Sequence, residues 1–151
     1  MSMLERLGLV YLEALTEVIA TATCIHLEID SRDSSKDFKD ITGVMYLHGN
    51  KDGVLFVTAN EDDARTLCSR FIGVLPEEVT SDDMDDIMCE LVNMTAGNAK
   101  MRLGETDYMF TLLQPFVIKG KNVSIATKNI TKIEAGTLTD GEISIGFKVI
   151  Y

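Results

Sequence analysis

The chain has 151 residues, 46% of them apolar, and its 24 acidic side chains outnumber 14 basic ones to leave a formal net charge of −10. That length makes one domain, 1–151, able to bury roughly two thirds of the surface exposed when unfolded, so neither a disulfide nor a metal is needed for folding. The charge repels phosphodiester backbones, no basic patch is segregated, and no stretch reaches the length of a membrane span, so neither nucleic acid nor membrane is expected as a partner.

The first segment, Met1 to Ala22, places Leu4, Leu7, Tyr11, Leu15, Val18, Ile19 and Ala22 at three- and four-residue steps behind a Ser2-x-x-Glu5 capping box, which predicts a helix. Glu5, Arg6, Glu13 and Glu17 interrupt it on the other face, so it is not a signal peptide. Cys24, Cys68 and Cys89 stand at unrelated spacings that suggest neither a disulfide framework nor a metal site, and a reducing cytoplasm is the expected location. Three N-x-S/T sequons carry no weight without a secretion signal.

Ile25, Leu27 and Ile29, then Ile41 to Leu47, then Val54 to Thr58 alternate or are β-branched, and the last two runs should pair as a hairpin about Gly49 to Gly53. Asn60 caps a second helix that buries Ala64, Leu67, Cys68 and Phe71 and stops at Gly73. After Pro76 a third helix is read from Ser81 as its cap, through Asp82 and Asp83, to Lys100 and Arg102, with Gly104 closing it. Strand candidates follow at Tyr108 to Ile118 (interrupted by Pro115), Val123 to Thr127, Ile130 to Leu138 and Glu142 to Tyr151, the last two meeting at a turn on Asp140-Gly141. The fold expected is α+β, a single antiparallel β-sheet covered by helices, in the order α-β-β-β-α-α-β-β-β. A helix followed by strands occurs twice over, without a residue-level repeat.

On the third helix, Met84, Ile87, Met88, Leu91 and Thr95 share one side, which should pack on the sheet; Asp86, Glu90, Asn93, Gly97 and Lys100 share the other. Glu90 and Asn93 are surface neighbours, and Gly97 leaves a flat spot beside them despite costing a helix about 1 kcal/mol relative to alanine. Spacing favours the plain reading, a solvated face opposite an apolar stripe.

Resemblance changes that weighing. The run Asp86-Ile87-Met88-Cys89-Glu90-Leu91-Val92-Asn93-Met94-Thr95-Ala96-Gly97-Asn98-Ala99-Lys100 resembles the phosphatase signature of the CheX and CheC chemotaxis family, an acidic residue four positions before E-x-x-N. Phe110 to Gly120, with Pro115 inside it, is similar to the strand, proline and glycine segment that follows that helix in the family, and the order of elements matches along the whole chain. Gln114 departs from the pattern by placing a polar group where an apolar strand end is expected. One copy of the signature is present, where CheC proteins typically carry two, so the CheX branch is the nearer likeness.

The resemblance implies a phosphatase acting on the aspartyl phosphate of a CheY-like response-regulator receiver domain. Asn93 would orient the attacking water, and Glu90 would pair with the receiver's active-site lysine; Asp86, Gly97 and Lys100 are candidates for partner binding. The resemblance implies no cofactor of the chain's own, Mg²⁺ being supplied by the receiver, and a homodimer joined through the sheets, with Ile143 to Tyr151 expected as an unpaired edge.

Other chemistries fare worse. No cysteine has an arginine six residues on, as a cysteine phosphatase needs, and His26 and His48 stand singly. The cluster Asp82, Asp83, Asp85 and Asp86 lacks calcium-loop spacing and reads as a helix start; Cys89 reads as packing. The rival function is a non-catalytic adaptor or structural dimer module that binds receivers or flagellar-switch-like components, which would have no need of Asn93.

Overall fold

The computed structural model describes residues 2–31 and 38–151; Met1 and the side chain of Leu4, both counted in the expected first helix, lie outside them. Helix α1 spans Met3–Thr23, and its predicted capping box forms: Ser2 Oγ accepts from Glu5 N at 3.3 Å while a Glu5 carboxylate oxygen accepts from Ser2 N at 2.7 Å. Leu7, Tyr11, Leu15, Val18 and Ile19 are buried along one side. Strand β1 (Glu28–Ser31) is followed by the hairpin β2 (Ile41–Gly49) and β3 (Gly53–Ala59), paired from Ile41↔Ala59 to Leu47↔Gly53. Helix α2 (Glu61–Ile72) is capped by Asn60, whose side chain accepts from Asp63 N at 2.8 Å, and stops at Gly73 in the left-handed region, φ 75°. Ala64, Leu67 and Cys68 are buried as expected; Phe71 is half-buried.

A 3₁₀ turn at Pro76–Glu78 leads to helix α3 (Ser81–Leu103). Its cap is Thr80, one residue earlier than expected. Thr80 Oγ1 accepts from Asp83 N and an Asp83 carboxylate oxygen accepts from Thr80 N, each at 3.0 Å, so Thr80 has the reciprocal partner three residues on and Ser81 becomes the first helical residue.

Four strands follow, one more than the expected order had. The run from Tyr108 to Ile118 is two strands, β4 (Phe110–Leu112) and β5 (Phe116–Lys119), both antiparallel to β2 along the same edge. Gln114 and Pro115 fall in the break between them, where a missing N–H costs no ladder bond. Val123 to Thr127 is not a strand. Asn122 and Asn129 on either side adopt left-handed backbone, φ 58° and 61°, which turns the chain out of the pleat. Strands β6 (Ile133–Thr139) and β7 (Ser144–Ile150) form the predicted hairpin, with Gly141 at φ 93° in its turn.

The sheet runs β1-β6-β7-β3-β2, with β4 and β5 side by side beyond β2. The terminal strand is therefore interior rather than an edge. β7 is hydrogen-bonded to β6 on one side and, from Val54↔Ile150 to Thr58↔Gly146, to β3 on the other, because the second hairpin docks against the first; the edges are β1 and the β4–β5 pair. Helices pack on one face over Met45, Leu47, Leu55, Val57, Ile145 and Phe147. On the opposite face Val44, Phe56 and Ile150 form a smaller cluster with Phe38, Val54, Ile118 and Ile130. The α+β class, the antiparallel sheet and the covering helices are all as expected.

Candidate functional site on helix α3

Helix α3 lies so close to the sheet that a Cβ on Gly43 would come within 2.6 Å of the carbonyl oxygen of Met88. Glycine in β2 thus lets the helix backbone rest directly on the strand, beneath the turn that carries Glu90. Below it Met84, Ile87, Met88, Leu91, Val92, Thr95, Ala96, Ala99 and Leu103 are buried, a stripe that includes every predicted core position. Thr95 satisfies its buried hydroxyl by donating to Leu91 O at 2.7 Å.

The ends are tied as well. Near the start, Lys119 on β5 donates to Asp85 at 2.9 Å. At the finish, Arg102 donates from Nη1 to Glu13 at 3.0 Å, from Nη2 to Glu17, and from Nε to Asn98 Oδ1 at 2.6 Å, fastening α3 to α1. A rigid helix held at both ends and along its base is a good platform for side chains that must meet a partner in fixed geometry.

On the outer face Asp86 and Glu90 are exposed, and Asn93, Gly97 and Lys100 are half-exposed. All five predicted positions therefore share one face. Glu90 and Asn93, about 5–6 Å apart at Cβ by helix geometry, make no side-chain hydrogen bond or ion pair among the described residues, and neither do Asp86 and Lys100. A Cβ at Gly97 would meet nothing within 4 Å, so the flat spot is open. An unpaired carboxylate and an unpaired amide, one turn apart, can together take up a cation and hold a water.

Asp83 caps the helix and Asp85 pairs with Lys119, so two of the four clustered aspartates are committed to structure. Among the described residues no group of three or more His, Cys, Asp or Glu is placed to hold a metal ion. Cys89, half-buried beside the patch, has its thiol pushed up in pKa by burial first and then by the nearby charges of Asp86 and Asp85, which keeps it protonated. His26 is exposed, as is His48, whose ring lies 3.0 Å from Asp52. No helix among the described residues is long and apolar enough to cross a membrane.

The sequence reading missed the neighbours of this face. A cleft of about 310 Å³, lined by Asp40, Glu61, Asp85, Lys119 and Lys121 among others, opens at the start of α3. On the far flank Met101, 78% exposed, and Met94 line a groove against α1. Their periodicity on α3 was readable, but which helix would flank them was not.

The family described as "Chemotaxis phosphatase CheX" matches residues 41–136, which include all of α3 and the hairpin beneath it. The chain belongs to the CheX family. Solved CheX structures share its fold: the chemotaxis protein CheX from Vibrio vulnificus is 23% identical over 93% of this chain and 95% of that one, with a TM-score of 0.80. CheX from Desulfovibrio desulfuricans is 21% identical over 97% and 99%, TM-score 0.81. The CheX of a CheX–CheY–BeF3–Mg²⁺ complex from Borrelia burgdorferi is 18% identical over 93% and 94%, TM-score 0.80. No sequence among the curated proteins matches the chain.

Proposed function

We propose that this chain hydrolyses the aspartyl phosphate of a CheY-like receiver domain in the cytoplasm, with Glu90 and Asn93 as its working residues. The observation that carries the proposal is the pair itself: a carboxylate and an amide, free of partners among the described residues, on a helix fixed at both ends. The family description and the CheX–CheY complex of the Borrelia relative support it.

An acyl phosphate is already a reactive compound, so acceleration comes chiefly from positioning. Asn93 reaches the receiver's phosphate and holds a water in line with the bond to the aspartate oxygen. The water oxygen attacks phosphorus, the bond to the aspartate carboxylate breaks, and inorganic phosphate and free aspartate result. Glu90 takes up the receiver's lysine by a charge-assisted contact and so fixes the approach. Mg²⁺ enters with the receiver. Asp86 and Lys100 extend the docking face on either side, and Gly97 admits the partner's backbone. The chain works as a homodimer joined through the sheet face away from the helices, where Tyr46 and Phe116 remain 40% and 50% exposed.

The test is the lifetime of a phosphorylated CheY-type receiver of the same organism, with Mg²⁺, alone, with this protein, and with its Asn93→Ala variant. Shortening of the lifetime by the wild type and its loss in the variant support the proposal. An unchanged lifetime with bound receiver is the adaptor's result and overturns it.

A further inference from the structure

The cleft of about 310 Å³ at the start of α3 forms where several elements converge. The chain entering β2 brings Asp40, the first turn of α2 brings Glu61, the start of α3 brings Ser81 and Asp85, and the end of β5 brings Lys119 with Lys121 just past it. Its walls are pinned to one another. Gly120 N donates to Asp40 O at 3.0 Å, and an Asp40 carboxylate oxygen accepts from Glu61 N at 2.9 Å, which joins the end of β5, the approach to β2 and the start of α2. Gly120, at φ 146°, takes the backbone that lets the chain leave β5 along the rim.

Ile41 and Met84, both buried, line the same cleft, so an apolar floor lies under a charged rim. That make-up, at the small end of a range of roughly 300–1,000 Å³, is the make-up of a small-molecule site. Part of the rim is already matched: Lys119 donates to Asp85 at 2.9 Å, and Glu61 lies 3.5 Å from Arg65. The rest is not. Lys121 and the Ser81 hydroxyl make no hydrogen bond or ion pair among the described residues, and the second oxygen of Asp85 is buried with no donor, a deficit that a ligand's N–H can make good.

We infer that this cleft binds a small zwitterion, a molecule of the amino-acid class carrying one ammonium and one carboxylate. A lone anion entering it meets Asp40, Glu61 and Asp85, and a lone cation meets Lys119 and Lys121; a zwitterion offers each sign to its opposite. Its carboxylate would go to Lys121 and the Ser81 hydroxyl, where the start of α3 also favours negative charge. Its ammonium would go to Glu61 and Asp85. The acids there are not placed to hold a metal ion, no such group existing among the described residues. Neither Glu90 nor Asn93 lines the cleft, so the inference stands apart from the function proposed for them.

The test is a titration followed by two-dimensional amide NMR, which reads binding and not phosphate release. The probes are glycine, L-alanine, L-serine, L-leucine, L-glutamate and L-lysine, each to about 10 mM so that a millimolar site is filled, with propionate and propylammonium as single-charge controls. The expected result is that at least one amino acid moves the signals of Ser81, Asp85 and Lys121 together and saturably, while the controls leave them in place. Lys121→Ala and Asp85→Asn, each shown by its own spectrum to be folded, should raise the dissociation constant at least about tenfold. The inference is overturned if no amino acid moves these signals, if a control moves them as far, or if folded Lys121→Ala binds as tightly as the wild type.

Discussion

Glu90 and Asn93 are assigned separable tasks, and their substitutions should separate accordingly. Under the proposed function, Asn93→Ala removes the amide assigned to the attacking water and should lower kcat with little change in KM, while Glu90→Ala removes the carboxylate assigned to the receiver's lysine and should raise KM as well. Steady-state phosphate release over a range of receiver concentrations distinguishes the two. Gly97 makes the opposite kind of prediction. Its surroundings are empty and its backbone is helical, so Gly97→Ala should stabilise the protein by about 0.5–1 kcal/mol through propensity. If the gap exists to admit a partner's backbone, the same methyl should weaken receiver binding. Urea denaturation and a binding titration on one sample would read both effects.

At the scale of elements, the contact between α3 and β2 depends on one absent side chain. A methyl at Gly43 would fall 2.6 Å from Met88 O and 3.3 Å from Val92 Cβ, and since the nearest atom is backbone, the helix itself must shift. Gly43→Ala should therefore cost about 1–3 kcal/mol, read as a lower urea midpoint, and should reduce activity because Glu90 and Asn93 ride on the same helix. Nothing in the sequence marked Gly43, for a glycine inside an apolar run looks the same whether it faces solvent, a bulge or a helix. The helices were legible because apolar period and caps agree: Ser2, Asn60 and Gly73 do what their types predict. The cap of α3 was misread by one residue because Thr80 and Ser81 are both good caps, and only the partner three positions on decides between them. Val123 to Thr127 has strand composition, and two asparagines in left-handed backbone override it. The outer face of α3 was fully legible, since helical spacing fixes a face whatever it packs against. The register of β7 was not, because pairing with β3 or exposure as an edge leaves the same alternation in the sequence.

Across the whole molecule, the first helix and Tyr151 are joined by a partly buried phenol pair. Tyr11 and Tyr151 hydroxyls lie 2.6 Å apart, and the Tyr151 ring meets Tyr108 edge-on. Burial is the chief reason both phenols titrate high, Tyr151 being pushed up to about 12 and Tyr11 further. A raised folded-state pKa gives stability that is whole below the ordinary tyrosine value near 10 and is lost as pH climbs through the folded value. Urea midpoints should hold steady to about pH 10 and fall above it, and Tyr151→Phe should flatten that fall. The proposed dimer is tested at the same scale: Phe116→Lys on the helix-free face should convert a dimer to a monomer in sedimentation velocity without disturbing α3. The place of Ser144–Ile150 in the sheet bears also on how the protein is made. A ribosome delivers these residues after the other six strands, yet they fill the middle, with β6 and β3 leaning on them from either side. Until they clear the exit tunnel, the two hairpin halves have no common seam, and each shows an open apolar flank to the crowded cell. Closure of the sheet then waits for Ser144–Ile150, and the interval before that strand arrives is when a holdase chaperone has most to protect.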